Sequence, residues 1–294
     1  MSWVNAVLQG VLLGGLYALL ACGLSLMFGV MRIVNLAHGD LAVLGAFLVW
    51  TVSDHLHLSP FVGLLPVLPV MLVLGYLLHL TVLGRALKAG QLVPLLATFG
   101  LSVIIQNALL QVYSPDVRSL GAAAGSVGTA GWRVTGQLVV PAFGVLVLGV
   151  AAAVLGALHL FLHRTGPGRE MRATAQDPET AGLVGVNASA VYARATALAV
   201  AVAALAGTFL AVRSSIVPSS GPTQLIFAFE AVVIGGSGSL WGTLGGGVVL
   251  GVAQTVGARI DPQYAILTGH LVFLAVLASP RGRQWAGLAR GRRA

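Results

Sequence analysis

Long apolar runs alternate with short polar breaks along the chain. The runs predict eight membrane segments, near residues 5–30, 36–52, 60–81, 93–113, 138–162, 190–212, 225–257 and 263–279. A helix needs about 20 predominantly apolar residues to cross a bilayer, and all eight runs are close to that length or longer. The pattern therefore predicts an all-α fold: a polytopic transmembrane helical bundle of about eight to nine membrane segments, forming a single membrane domain over residues 1–294.

The composition agrees with a membrane protein and excludes a soluble one. Hydrophobic residues make up 57% of the chain and charged residues only 8%, whereas a soluble domain carries about 25% charged residues. The net charge of +8 is also typical of nucleic-acid-binding proteins. Basic residues that flank apolar segments, however, more often set the orientation of a protein in the membrane. We therefore expect the chain to contact the lipid bilayer and not nucleic acid.

The basic residues predict an orientation, because lysine and arginine gather on the cytoplasmic side of membrane proteins. If the N-terminus lies outside and the segments alternate, twelve of the 16 basic residues fall inside and four outside. The opposite orientation reverses this bias. We therefore expect an outside N-terminus and a cytoplasmic C-terminus. A polar loop, about residues 164–190, and a basic tail, residues 280–294, are then cytoplasmic.

One apolar run has to contain a break. With this orientation, segment 225–257 must start and end on the same side, yet its residues make only about 50 Å of helix, short of two crossings of about 30 Å each. Its middle reads Gly235-Gly236-Ser237-Gly238-Ser239, which predicts two short helices that meet at a glycine-rich turn. Residues 35–40 give a similar polar start to a helix in the other half. Broken or re-entrant helices in comparable places suggest an internal duplication and often mark a substrate site.

Five polar residues at these breaks are candidates for a substrate pathway or its gate: Asn35, His38, Asp40, Glu230 and Ser237. Ionisable groups within membrane segments are expensive and are often functional. Two structural interpretations stay open beside this one. Asn35 is a possible N-cap of a helix that starts at the membrane interface, with His38 and Asp40 beside it. Glu230 is a possible member of a buried ion pair.

The sequence gives little sign of catalysis or of metal binding. His55 and His57 lie two residues apart, but no cysteine or paired carboxylate completes a metal site. Residues 235–238 match the GxSG pattern of rhomboid intramembrane serine proteases, in which His270 would be the base. Four residues in a chain with 39 glycines are a weak signal. We expect no catalytic residues, no metal and no enzymatic activity, with a rhomboid-like protease as a remote alternative.

The sequence also lacks a nucleotide-binding motif. A P-loop needs a lysine that directly follows a glycine, and the only lysine, Lys88, lies between Leu87 and Ala89. If the chain takes part in ATP-driven transport, the ATPase must be a separate chain. We therefore expect no cofactor on this chain itself.

A quarter of all charged residues lies in the stretch 164–187. Within it, Asp177-Pro178-Glu179 has the features of a helix N-terminus, with a candidate N-cap, an early proline and an acid in the first turn. These residues predict a short helix that ends at about Val184. A long polar loop in an apolar protein is suited to presenting a surface to a partner.

Three blocks of sequence, in the expected order and over nearly the whole chain, resemble the family of branched-chain amino acid ABC-transporter permeases. The first block combines Gly15-Leu16-Tyr17-Ala18-Leu19 with Asn35-Leu36-Ala37-His38-Gly39-Asp40. The second is Gly168-Arg169-Glu170-Met171-Arg172-Ala173-Thr174-Ala175-Gln176-Asp177-Pro178-Glu179-Thr180-Ala181 with Gly185-Val186-Asn187. The third is Ala231-Val232-Val233-Ile234-Gly235-Gly236 with Gly238-Ser239 and Gly242. Trp241 departs from the family pattern, in which we expect a proline or a smaller residue.

The resemblance implies a permease subunit of a bacterial inner-membrane importer that moves branched-chain amino acids by alternating access. It implies four further partners: a second homologous permease, two ATP-binding cassette subunits that use the ATP, and an extracytoplasmic solute-binding protein. The second block would be the loop that couples the permease to the ATPase, through Arg172, Asp177, Pro178, Glu179, Thr180, Ala181, Gly182 and Leu183. The same machine with another small-molecule cargo, such as urea, a short amide or a sugar, is the alternative.

Overall fold

The structure is a computed structural model that describes residues 3–90, 92–135, 138–236 and 238–279. Its helices in chain order are α1 (Trp3–Met31), α2 (His38–Leu56), α3 (Pro60–Leu78), α4 (Gly84–Ala89), α5 (Val93–Tyr113), α6 (Ser126–Thr129), α7 (Ala142–Arg164), α8 (Gly166–Gln176), α9 (Pro178–Leu183), α10 (Ala188–Arg213), α11 (Gly221–Gly235), α12 (Leu240–Ile260) and α13 (Tyr264–Ala278). Two short strands, β1 (Gly131–Thr135) and β2 (Leu138–Pro141), pair antiparallel between α6 and α7.

Among the described residues, six helical stretches are long and apolar enough to cross a membrane: Trp3–Met31, Pro60–Ala89, Val93–Tyr113, Ala142–Arg164, Ala188–Arg213 and Leu240–Ile260. Helices α2, α11 and α13, with 19, 15 and 15 residues, are shorter or more polar. These elements confirm the predicted all-α polytopic bundle. The centre of the bundle is formed by α1 and α10, whose membrane-length windows are largely buried inside the chain.

Small residues let the central helices approach closely. A Cβ added to Gly14 on α1 would lie 2.4 Å from the Cα of Val248 on α12, and one added to Gly247 would lie 2.6 Å from the carbonyl oxygen of Gly14. Such close approach of two backbones is the usual packing mode of small residues in membrane helices. Helix α1 thereby holds α12 along much of its length.

The predicted break in segment 225–257 is confirmed. Helix α11 ends at Gly235, and α12 begins at Leu240. Between them, Gly236 and Gly238 have φ of 95° and 78°, which glycine adopts without steric strain. The prediction of two short helices is half right, because α12 has 21 residues and is long enough to cross a membrane.

Three boundaries differ from the predicted ones. The predicted segment 60–81 ends too early, because a π-helical turn, His79–Leu83, joins α3 to α4 and the helix continues through the charged residues 84–88. Long basic side chains can extend from a helix into water without breaking it. Segment 138–162 begins as strand β2, which pairs with β1, and is helical only from Ala142. The polar loop contains an additional helix, α8. The basic tail 280–294 lies outside the described residues.

Candidate functional site

The three polar residues of the first break lie together at a junction inside the bundle. Asn35, His38 and Asp40 are each 0% exposed, so all three side chains are enclosed by the protein itself. His38 Nε2 donates to the carbonyl of Leu20, in the middle of α1, at 2.9 Å. Helix α2 therefore starts deep within the protein and not at its edge.

The start of α2 lies directly against the start of α11. A Cβ on Gly221 would lie 1.8 Å from Oδ1 of Asp40, and one on Gly39 would lie 2.0 Å from the carbonyl oxygen of Gly221. Both N-termini present backbone N–H groups and a partial positive charge. We call the group Asn35, His38, Asp40 and Gly221 the junction. It is the place where the two shorter helices meet.

Asn35 organises the turn that precedes α2. Its Oδ1 accepts from the backbone N–H of Ala37 at 3.0 Å, and its backbone carbonyl accepts from the N–H of His38 at 3.1 Å. The cap position of α2 is Ala37, which has no side-chain capping bond, so the prediction of Asn35 as the N-cap is wrong by two residues. Asn35 therefore stabilises the chain reversal that precedes α2 and does not cap the first turn of the helix.

Asp40 connects the junction to α5. Ser102 Oγ donates to Oδ2 of Asp40 at 2.5 Å, and Gln106 Nε2 donates to Oγ of Ser102 at 3.1 Å. Oδ1 of Asp40 has no hydrogen-bond partner among the described residues. It lies instead against the first residue of α11, where the helix dipole favours negative charge. Asp40 thus accepts one hydrogen bond, from Ser102, and lies beside the first turns of two helices, α2 and α11.

A second polar cluster surrounds Glu230. Its side chain is 3% exposed and pairs with Nδ1 of His270, whose side chain is 39% exposed. The Phe227 ring stacks on His270 at 6.4 Å and packs against Tyr17 at 5.2 Å, and the Tyr17 hydroxyl donates to Gln254 at 2.5 Å. His270 is therefore the partner that the ion-pair interpretation of Glu230 requires. The second carboxylate oxygen, Oε2, has no hydrogen-bond partner among the described residues.

The two polar clusters are separate. The junction lies at the start of α11, and Glu230 lies nine residues further along the same helix. His270, considered above as the base of a protease, is bound to Glu230, and Ser237 lies outside the described residues. Within the described part of the chain, no three His, Cys, Asp or Glu side chains are grouped so that they could hold a metal ion.

The polar loop folds into two capped helices. Thr165 Oγ1 accepts from the N–H of Gly168 at the start of α8. Asp177 Oδ1 accepts from the N–H groups of Glu179 and Thr180 at 2.9 and 3.2 Å, which confirms the predicted cap and the short helix α9. These caps satisfy N–H groups that have no intrahelical acceptor.

Helix α9 turns an apolar tip outwards. Leu183 is 87% exposed and Val184 78% exposed, whereas Ala181 is buried. A Cβ added to Gly182 would meet no atom within 4 Å. An exposed apolar tip at the end of a polar loop is the kind of surface that another protein covers.

Helix α8 is tied to three neighbouring parts of the bundle. Arg172 Nε donates to the carbonyl of Leu162 on α7 at 3.0 Å, and Arg194 on α10 forms an ion pair with Glu170 at 2.8 Å. Arg32, directly after α1, donates to the carbonyl of Ala175 at 3.3 Å. Arg172, predicted to contact an ATPase, here contacts its own chain.

Some residues of these sites were not anticipated from the sequence. They are Ser102 and Gly221 at the junction, Tyr17 and Gln254 beside Glu230, and Arg32 and Arg194 beside α8. Ser102 and Gln106 lie four apart in the mostly apolar run 93–113 and so share one face of a helix, which was the available signal. The other contacts join residues that are distant in sequence and carry no local pattern.

Comparisons with known proteins identify the family of the chain. Residues 6–278 match the model of a family described as the permease component of branched-chain amino acid transport systems. The chain is 28% identical over 295 residues to the high-affinity branched-chain amino acid transport system permease protein BraD of Pseudomonas aeruginosa, with 95% of each chain covered. It is 26% identical over 292 residues to LivH of Escherichia coli, a permease protein of the same kind of system, with 95% of this chain and 94% of LivH covered.

A relative with a different cargo also matches. The chain is 28% identical over 257 residues to the fructose import permease protein FrcC of Rhizobium meliloti, with 83% of this chain and 69% of FrcC covered. The family is one of transport permeases and not a class of enzymes. From the match over residues 6–278, the chain is a multi-pass membrane protein that belongs to the family of branched-chain amino acid transport system permease components.

Proposed function

We propose that the chain is the permease subunit of an ATP-binding-cassette importer and moves branched-chain amino acids across the inner membrane. The observation that carries this proposal is α9, a capped helix with an exposed apolar tip at Leu183 and Val184. Helix α9 follows α8, which is attached to the bundle through Arg32, Arg172 and Arg194. A movement imposed on α9 would therefore reach α1, α7 and α10.

The proposed assembly has a second homologous permease, two ATP-binding subunits and an extracytoplasmic solute-binding protein. The N-terminus lies outside, and α8 and α9 are cytoplasmic, as the distribution of basic residues favours. ATP binding in the separate subunits would move α9 and switch the two permeases between outward- and inward-facing states. The ATP is used by those subunits and not by this chain.

The substrate pathway is proposed to involve helices α2 and α11, which both start at the junction. Ionisable residues in membrane segments commonly line such pathways or their gates, which keeps Asn35, His38, Asp40, Glu230 and Ser237 as candidates. Since the junction is fully buried, its residues would act there by fixing where α2 and α11 meet. Unchanged uptake in both Glu230→Gln and Asp40→Asn, at normal expression, would exclude the pathway hypothesis for these two acids.

Branched-chain amino acids are the proposed cargo because BraD and LivH carry that description, and the fructose permease FrcC supports a sugar as the second candidate. The test is uptake by the complete transporter, reconstituted with its solute-binding protein and given labelled leucine, fructose or urea in turn. ATP-dependent accumulation of leucine alone is the expected result. Accumulation of fructose or urea in its place would contradict the proposed cargo but not the transport function, and accumulation without any ATPase would contradict the proposed machine.

A further inference from the structure

A cavity of about 270 Å³ separates α8 from the glycine turn between α11 and α12. Its walls are mostly apolar and include Leu26 and Val30 of α1, Leu162 of α7, Met171 of α8 and Leu240 of α12. Pockets for drug-sized ligands usually measure about 300–1,000 Å³. This one, which we call the inner cavity, is therefore suited to a single small metabolite.

Among the described residues, two basic side chains, Arg172 and His163, line the inner cavity. Arg172 uses its Nε to donate to the carbonyl of Leu162, another lining residue. This bond holds the guanidinium at the cavity wall, and no hydrogen bond to another described residue occupies its two terminal nitrogens. A guanidinium fixed in this way is a good partner for a carboxylate, which it can bind through two parallel hydrogen bonds.

The ligand chemistry follows from the lining. A small molecule with a carboxylate for Arg172 and a branched alkyl group for the leucine, valine and methionine side chains would complement this lining. Burial of apolar surface is favourable roughly in proportion to the area removed from water, so the alkyl group would supply much of the affinity. Branched-chain carboxylates combine both features in a molecule of the right size.

The position of the cavity links it to movement. Gly238 lines it from the glycine turn, and Arg172 and Ala175 line it from α8. A bound molecule would contact both at once and hold them at a fixed distance. If α8 moves relative to the turn in each transport cycle, an occupied cavity opposes that movement.

We propose that the inner cavity binds the carboxylate and the branched alkyl group of an amino acid that has been delivered to the α8 side. Occupancy then slows the next cycle, so that the accumulated product inhibits its own import. This inference rests on the proposed function, because it takes the product to be a branched-chain amino acid.

The test uses the complete transporter in vesicles with ATP in the lumen, which energises only those molecules whose ATPase side faces inwards. The lumen is loaded with one of three compounds: L-leucine, isovalerate or isoamylamine. Isovalerate keeps the carboxylate and the branched alkyl group, whereas isoamylamine keeps the alkyl group and lacks the carboxylate. Leucine and isovalerate are expected to lower the initial uptake rate by about fivefold, the lower end of usual coupling between sites. Isoamylamine is expected to have no effect. Equal inhibition by all three, or by none, would overturn the inference.

Two matched variants locate the effect. Ala175→Leu fills the cavity from α8, whereas Ala173→Leu makes the same change at an exposed position of the same helix that does not line it. The ratio of uptake with and without luminal isovalerate is expected to rise to one in Ala175→Leu and to stay at the wild-type value in Ala173→Leu. Inhibition that survives in Ala175→Leu would contradict the site.

A binding measurement covers the case in which Ala175→Leu no longer transports. Equilibrium dialysis of labelled isovalerate against the purified complex should show saturable binding to wild type and to Ala173→Leu, but not to Ala175→Leu. Equal binding to all three would contradict the site. The cargo proposal is tested separately, because inhibition by isovalerate can be measured on the uptake of any solute that the transporter carries. If the transporter carried fructose, the proposed cargo would be refuted, and inhibition through the cavity could still be measured.

Discussion

The junction and the polar loop both concentrate polar residues in an apolar chain, but they place them in opposite environments. At the junction, Asn35, His38 and Asp40 are completely buried, and their partners come from α1 and α5. In the polar loop, α9 presents Leu183 and Val184 to the surroundings. Polar residues face inwards in the first region, and apolar residues face outwards in the second.

This difference shows what each region can do. Burying a polar group is costly unless hydrogen bonds compensate, and the bonds from His38 to α1 and from α5 to Asp40 therefore help to fix how the helices meet at the junction. An apolar tip at the end of a polar loop gains free energy only when a partner covers it. The junction is therefore a device for internal geometry, and α9 is a surface for docking.

The largest effect is expected from closing the space at the junction. Gly221→Ala would place a Cβ 1.8 Å from Oδ1 of Asp40, so α2 and α11 could no longer start side by side. Overpacking of this kind should destabilise the protein by about 3 kcal/mol. The measurement is thermal unfolding of the purified protein in detergent.

Gly149→Ala on α7 is the matched control, because a Cβ there would meet nothing within 4 Å. Alanine is a better helix former than glycine by about 1 kcal/mol, so this variant should be as stable as wild type or more so. A Gly221→Ala protein of wild-type stability would show that the junction is not tightly packed.

An intermediate effect is expected at α9. Gly182→Leu should leave the chain's own fold unchanged, since the added side chain enters open space, but it should clash with a docked ATPase. A lost interface hot spot corresponds to about 2 kcal/mol, or roughly a 30-fold weaker complex. Co-purification of the ATP-binding subunits and the uptake rate both report this loss.

Charge reversal at Glu179 probes the same docking surface. Glu179→Lys places a cation in the first turn of α9, where the helix dipole disfavours it, so this variant should uncouple ATP hydrolysis from uptake. Uptake that is unaffected by both Gly182→Leu and Glu179→Lys would refute the assignment of α9 as the coupling helix.

The smallest effect is expected from the connection between the two regions. Arg32 lies between α1 and the junction, has φ of 56° and donates to Ala175 of α8. Arg32→Ala removes one exposed hydrogen bond, worth about 1 kcal/mol, and should lower the number of substrates moved per ATP by about fivefold. Arg32→Lys, which can still donate, should keep most of this coupling, and equal behaviour of the two variants would contradict the role of the side chain.

The sequence predicted those features that depend on local chemistry. The glycines and serines of residues 235–239 predicted the break between α11 and α12, and Asp177-Pro178-Glu179 predicted the cap of α9. In both cases the backbone follows from neighbouring residues, through positive φ or through a capping bond.

Features that depend on distant contacts were not predictable. The burial of Asp40 rests on Ser102 and Gly221, which are 62 and 181 residues away in sequence. Helix α8 was missed because its polar composition in a membrane protein is equally typical of an irregular loop. An ion pair of Glu230 was considered from the sequence, but His270 could not be identified as the partner because it is distant in sequence.

The most direct test of the central claim, that α9 is the docking surface for a separate ATPase, is site-specific cross-linking. The chain has a single cysteine, Cys22, which is 0% exposed, so Leu183→Cys introduces one accessible thiol. Val117→Cys, at a 63% exposed position beyond the end of α5, is the matched control. In the assembled transporter, a short bifunctional reagent should join Leu183→Cys to an ATP-binding subunit and leave Val117→Cys unjoined to it. No cross-link from Leu183→Cys, or equal cross-linking from Val117→Cys, would contradict the account.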